Sequence, residues 1–224
     1  MATTQRKATQ TAQAEGPRRF VFLLLDRVTM LSFAGAIEPL RIANRVAGRE
    51  IYRWRLAGEG GEMATCSNGA AFKLDMGLEE IDREDTLLVC GGIDVQKSTT
   101  RAITAWLRRE ARRGVAIGGL CTGAYALAKA GLLEGRKATI HWENQDGFLE
   151  EFEEVKLTKS VFVIDGNRLS TAGGTASIDL MSASISQNSD NARVTDGMAT
   201  KASREAADGG TAVTQTVAAM KQIA

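Results

Sequence analysis

The chain has 224 residues, of which 44% are hydrophobic and 25% charged, the balance of a globular protein with a core and not of a disordered or fibrous chain. A formal net charge of +1 leaves no bulk field that would mark nucleic acid or a membrane surface as a partner. No apolar run approaches a membrane span, and the polar, small residues at the start lack the apolar stretch of a secretion signal.

There are three cysteines, Cys66, Cys90 and Cys121, and a single histidine, His141. An odd cysteine count is no disulfide framework and fits a reducing, cytoplasmic setting. No pair has metal-ligand spacing, so neither a metal nor a cofactor is expected.

In chain order, residues 1–18 read as a disordered tail. Phe20–Leu25 is a short continuous apolar run suited to a strand buried on both faces. Phe33–Val46 follows with apolar residues at helical spacing, and Pro39 belongs to its first turn or marks a kink. Tyr52–Ala57 and Ala64–Leu74 read as strand segments, the latter folded about Ser67-Asn68-Gly69. Thr86–Cys90 is a buried strand closed by Gly91-Gly92. The next helix, Thr99–Arg113, turns Ile103, Trp106 and Leu107 inward. Its five arginines, interrupted by Glu110, read as a solvated face. Val115–Leu120 is a further strand and Thr122–Ala130 a further helix. Lys137–Ile140 reads as a strand reaching the same sheet edge, and Val161–Ile164 with Arg168–Ser170 as a hairpin about Asp165-Gly166-Asn167. Gly173-Gly174 then opens a last helix through Ile178 and Leu180. Apolar strands alternating with amphipathic helices predict an α/β fold with a doubly wound, mostly parallel sheet over residues 19–181.

From Ser182 onward the composition shifts to Ala, Ser, Thr, Gly, Asp and Asn, with no aromatic residue. Small or apolar residues recur every seven positions at Ile185, Ala192, Ala199, Ala206, Val213 and Met220, which predicts a coiled-coil-like helix over 182–224. Gly209-Gly210 weakens it by about 1 kcal/mol per glycine. So little apolar surface requires partner helices.

Chemistry concentrates at Gly119-Leu120-Cys121-Thr122-Gly123. Its G-x-nucleophile-x-G spacing, between a buried strand and an apolar helix, is that of a nucleophile elbow. A thiol there lies near a helix N-terminus, whose dipole favours the thiolate. The competing reading is a buried, inert cysteine. His141 could take the thiol proton or stabilise its anion. Glu38, a carboxylate on an apolar helical stretch, needs a partner that Cys121 could supply. Gly91-Gly92 could present backbone N–H groups to an oxyanion.

These stretches also carry a resemblance. GGLCTGAYALAKAGLLEGRKATIHWEN (118–144), FAGAIEPLRIANRVAGREIYRW (33–54), LLVCGGID (87–94) and STAGGTASIDLM (170–181) together resemble the sensor domain of GlxA-type regulators. These are AraC-family transcriptional regulators whose N-terminal half is a PfpI/ThiJ (class I glutamine amidotransferase-like) domain. The resemblance implies a flavodoxin-like doubly wound sheet and a homodimer. It further implies a pocket shared by the elbow cysteine, a histidine about twenty positions later and a glutamate of the first helix, here Cys121, His141 and Glu38. Gly92, the Thr122 amide and Trp142 are the accompanying ligand-binding candidates. IHWEN and EPLRIANR most resemble regulators of glycine-betaine, carnitine and related quaternary-amine catabolism. Such a ligand would want aromatic faces, for which Trp142, Trp54 and Phe33 are the candidates.

The expected function is therefore sensing of a small metabolite. The alternative is a Cys121-dependent hydrolase or deglycase of PfpI/ThiJ type, with His141 as base. A GlxA-type regulator continues into a helix-turn-helix domain of roughly a hundred residues. Here 43 residues follow Met181, with four basic against four acidic side chains, which predicts no direct nucleic-acid binding by this chain. The tail itself resembles part of the signalling helix of methyl-accepting chemotaxis proteins. That likeness implies a fused or truncated chain and, by analogy, methylation of Glu205 or Gln215.

Overall fold

A computed structural model describes residues 16–223, with side chains described as far as 206. Residues 1–15 of the expected tail lie outside the described residues, as do the side chains of Val213, Gln215 and Met220.

The strands in chain order are β1 (Arg18–Leu24), β2 (Tyr52–Ala57), β3 (Met63–Thr65), β4 (Ala71–Lys73), β5 (Thr86–Cys90), β6 (Ala116–Leu120), β7 (Lys137–Ala138), β8 (Lys156–Leu157), β9 (Phe162–Asp165) and β10 (Arg168–Thr171). Six of them form one sheet in the order β2-β1-β5-β6-β10-β9, parallel except for the antiparallel edge strand β9. The helices are α1 (Met30–Ala47), α2 (Val95–Ser98), α3 (Arg101–Arg112), α4 (Ala124–Lys129), α5 (Gln145–Glu151) and α6 (Ala176–Ile223).

The continuous apolar run of β1 explains its central place. Val21 and Leu23 align with Leu87 and Val89 of β5 in one face of the core, against Trp106 and Leu107 of α3 and Leu127 of α4. Phe20 and Phe22 point to the other face, where Phe22 meets Phe33 of α1 edge-on at 5.6 Å and Phe33 meets Phe72 at 5.1 Å. Strands buried on both faces require helices on both faces, the doubly wound arrangement. Pro39 sits inside α1, which continues through it to a left-handed Gly48 cap. Among the described residues no helix is long and apolar enough to cross a membrane.

Two sequence expectations change. Lys137–Ile140 does not join the main sheet. Only Lys137–Ala138 is extended, and it pairs with β8 in a separate parallel ribbon. The following residue is tied down by side chains: the Thr139 amide donates to Ser170 Oγ at 2.9 Å and its hydroxyl to the Ser160 carbonyl at 3.0 Å.

The arginines of α3 are not simply a solvated face either. Arg109 donates to the Leu78 carbonyl, Arg113 to that of Ile81, and Arg108 to those of Lys129 and Ala130 at the end of α4. Glu110, fully buried, accepts from Arg109 Nε at 2.8 Å and Arg113 at 2.5 Å, fixing both guanidinium groups. Arg101 and Arg112 are exposed.

The chain divides into a compact unit over Pro17–Ser184 and a second containing Ile185 onward. In the second, the described helical residues are exposed from 189 to 206, including Ala192, Ala199 and Ala206 of the seven-residue series.

Glu110→Gln removes the charge that organises Arg109 and Arg113 while keeping its volume. Urea unfolding should show a loss of about 2 kcal/mol; a change within experimental error would mean that the arginines hold the 78–81 segment unaided.

Candidate functional site

β6 ends at Leu120, and the chain turns at once into a 3-10 turn (Cys121–Gly123) that leads into α4. Cys121 takes φ +58°, in the left-handed region that a side-chain-bearing residue enters only under constraint. Two glycines supply that constraint through close approach. A Cβ on Gly123 would overlap the Val89 carbonyl oxygen, and one on Gly92 the Arg27 carbonyl oxygen. The elbow therefore rests directly on β5, and the chain just beyond β5 packs in turn against the chain just beyond β1. Its backbone is pinned from β10 as well, since the Cys121 amide donates to Thr171 Oγ1 at 3.0 Å, and Thr122 Oγ1 donates to the Gly92 carbonyl at 2.7 Å.

The elbow opens on a cleft of about 390 Å³ at the carboxyl ends of the parallel strands. This is where the strand order reverses between β1 and β5, the usual ligand position in an open α/β sheet. Thr29 precedes α1, Leu31 lies in its first turn, and Gly92, Ile93 and Asp94 follow β5. His141, Glu143 and Asn144 arrive from the segment held by Thr139, and Gly174 from the turn that precedes α6. Among the described residues the non-glycine positions with positive φ are Arg27, Asp94 and Cys121. Asp94 and Cys121 line this cleft, and Arg27 is ion-paired to Asp94 behind it. Backbone strain thus gathers at one edge of the sheet.

The thiol is buried, and burial pushes its pKa up, because a thiolate loses its hydration there. The Thr122 amide and the Thr29 side chain face the sulfur and pull in the opposite direction, while the Glu143 charge adds to the upward push. Burial prevails, so the neutral thiol is the resting form. Cys66 and Cys90 are buried and shifted the same way, also by loss of hydration.

The sequence-predicted residues divide into those the fold brings together and those it does not. Cys121, His141, Gly92 and Thr122 border one cleft. Glu38 does not: it lies on the exposed face of α1, half-exposed, and its Oε2 accepts from both Nε and Nη2 of Arg41 at 2.8 and 2.6 Å. Its carboxylate is held below the usual range chiefly by that hydrogen bond, so the partner that an apolar-flanked carboxylate requires is Arg41 and not Cys121. His141 is 23% exposed with Nδ1 3.7 Å from Glu143, and among the described residues no hydrogen bond joins it to the Cys121 sulfur. Trp142 is 70% exposed and packs against the His141 ring from outside, with centroids 5.7 Å apart. Phe33 belongs to the core and Trp54 to β2, and neither borders the cleft, so among the described residues these candidates form no aromatic cage there.

Sequence reasoning missed Thr29, Leu31, Ile93, Asp94, Glu143, Asn144 and Gly174 as lining residues, and Ser170 and Thr171 as the side chains that position the His141 segment and the elbow. Ser170-Thr171 lies in the STAGG stretch, where two hydroxyls at a strand end before a Gly-Gly turn are the only local signal.

The DJ-1/PfpI family model matches residues 18–187. The HTH-type transcriptional regulator CdhR of Pseudomonas aeruginosa is 44% identical over 168 residues, covering 75% of this chain and 50% of that protein. The HTH-type transcriptional regulator GbdR of the same species is 41% identical over 169 residues, covering 75% of this chain and 46% of that protein. The chain thus spans about half the length of these curated relatives. Among solved structures, an AraC family transcriptional regulator from Pseudomonas putida superposes with a TM-score of 0.65 at 28% identity, over 74% of this chain and 89% of that one. With the family model matching 18–187 and an elbow cysteine on a doubly wound sheet, the chain belongs to the DJ-1/PfpI family.

Proposed function

We propose that the Pro17–Ser184 unit is a small-metabolite-sensing domain of the kind found in GlxA-type transcriptional regulators, with the ligand seated in the elbow cleft. The geometry that carries this reading is a buried elbow cysteine whose sulfur, among the described residues, has neither a carboxylate nor the imidazole hydrogen-bonded to it, and whose burial pushes the thiol pKa up. A nucleophilic enzyme needs the thiolate, or a base in contact with the thiol. A binding cleft needs only shape and polar groups. The likeness to regulators over half their length supports the same choice. In this reading the domain biases a DNA-reading region elsewhere in the assembly and works as a homodimer.

The ligand class that the cleft favours is a small zwitterion. Gly92 lines the cleft beside Thr122, where backbone donors suit a carboxylate, and Glu143 supplies a negative charge at the rim. Glycine betaine and carnitine, which the sequence resemblance puts forward, have that charge layout. Their trimethylammonium group would be held here by charge, since the aromatic candidates are not gathered around the cleft.

Calorimetric titration of the full chain with glycine betaine, carnitine and a panel of amino acids should give saturable heat with at least one. Cys121→Ser should keep that binding within about threefold, because the sulfur is a wall and not a reactant. Absence of heat with every compound, or Cys121-dependent turnover of an ester or amide substrate, would overturn the proposal.

A further inference from the structure

A second and larger cleft, of about 500 Å³, lies on the opposite side of the Ile93-Asp94 segment from the elbow cleft. It sits over the carboxyl ends of β1 and β2, between the β3–β4 ribbon and the α2–α3 connection. Part of its wall is apolar: Leu24 and Leu25 at its base, with Met63 and Ile93 exposed by 55% and 45%. Large apolar side chains facing water inside a formed concavity are a mark of a binding surface.

The charges along the wall do not balance. Three carboxylates line it, Asp26, Glu59 and Asp94, against two cations, Arg27 and Lys97. Both cations are already committed to Asp94: Arg27 forms a close ion pair with one of its oxygens, and Lys97 lies 3.6 Å from the other. Asp26 and Glu59 make no ion pair or hydrogen bond among the described residues. Among the described residues the cleft is thus left with two unpaired carboxylates beside an apolar wall, and with no free cation to receive an anionic ligand.

We propose that this cleft is a second ligand site, distinct from the elbow cleft, that takes a protonated alkylamine. The alkyl chain lies against Met63 and Ile93, and the ammonium group donates charge-assisted hydrogen bonds to Asp26 and Glu59. The Ile93-Asp94 segment, held by Arg27 and bordering both clefts, is then shared by the two ligands, so that each alters the wall of the other's site. This assignment does not depend on what the elbow cleft binds.

Met63 offers a local reporter among the seven methionines of the chain. Full-length protein labelled at the methionine methyls is titrated with n-butylammonium chloride and, separately, with sodium butyrate. The expected result is a saturable shift of the Met63 resonance with butylammonium and none with butyrate. The combined variant Asp26→Asn with Glu59→Gln should weaken the apparent affinity about tenfold, and each single variant by less. Both positions are exposed, and unchanged resonances of the other methionines check that the variants fold. No saturable shift, an equal shift with butyrate, or undiminished affinity in the combined variant would overturn the assignment.

Discussion

The contact on which the site depends is one of backbone against backbone. Gly123 at the start of the elbow helix lies against the Val89 carbonyl of β5, and Gly92 lies against the Arg27 carbonyl beyond β1. Neither approach leaves room for a Cβ, so the elbow is seated on β5, and the chain just beyond β5 is in turn seated against the chain just beyond β1. Cys121 is then driven to φ +58°, which aims its side chain away from the sheet and into a cleft. The energy for this strain comes from the parallel sheet beneath, whose central strands are buried on both faces and whose register is set by Val21, Leu23, Leu87 and Val89. Hydroxyls of β10 complete the arrangement: Thr171 holds the elbow backbone, and Ser170 holds the segment that carries His141.

That geometry separates the shape of a nucleophile site from its chemistry. Elbow, oxyanion-type amide and imidazole all reach one cleft, yet the thiol is burial-shifted toward its neutral form. A helix start is expected to favour a thiolate, but this turn is short and its Thr122 amide is outweighed by lost hydration. The same scaffold can thus carry a reactive cysteine or a passive one, depending on whether a second charged group is brought to the sulfur. Here the helix carboxylate that could have done so is spent on Arg41, one turn away.

The strands of the main sheet were legible in the sequence because burial on both faces writes itself as continuous apolar runs: Phe20–Leu25, Thr86–Cys90 and Val115–Leu120 each correspond to a central strand. Cys121 and Gly92 were legible because close backbone approach leaves glycine as its trace. What could not be read was side-chain partnership across the fold. Glu38 has the same apolar neighbours whether it faces a pocket or solvent, and only the orientation of α1 decides. The arginines of α3 look like a solvated row until the 78–81 segment is seen lying across them. Lys137–Ile140 has the composition of a strand, but its hydrogen bonds go to Ser170 and Ser160 side-chain and loop partners that no local pattern encodes.

The central claim is that Cys121 is a neutral thiol in a binding cleft. The most direct measurement is the rate of Cys121 alkylation by iodoacetamide as a function of pH, with Cys121→Ser subtracting the other two thiols. Burial raises the pKa, so the account predicts slow labelling at neutral pH and a rate that rises only above the ordinary thiol value of about 8.5. His141→Ala should leave that profile in place. A rate plateau reached below neutral pH and abolished by His141→Ala would instead reveal a thiolate–imidazolium pair, and would contradict the account.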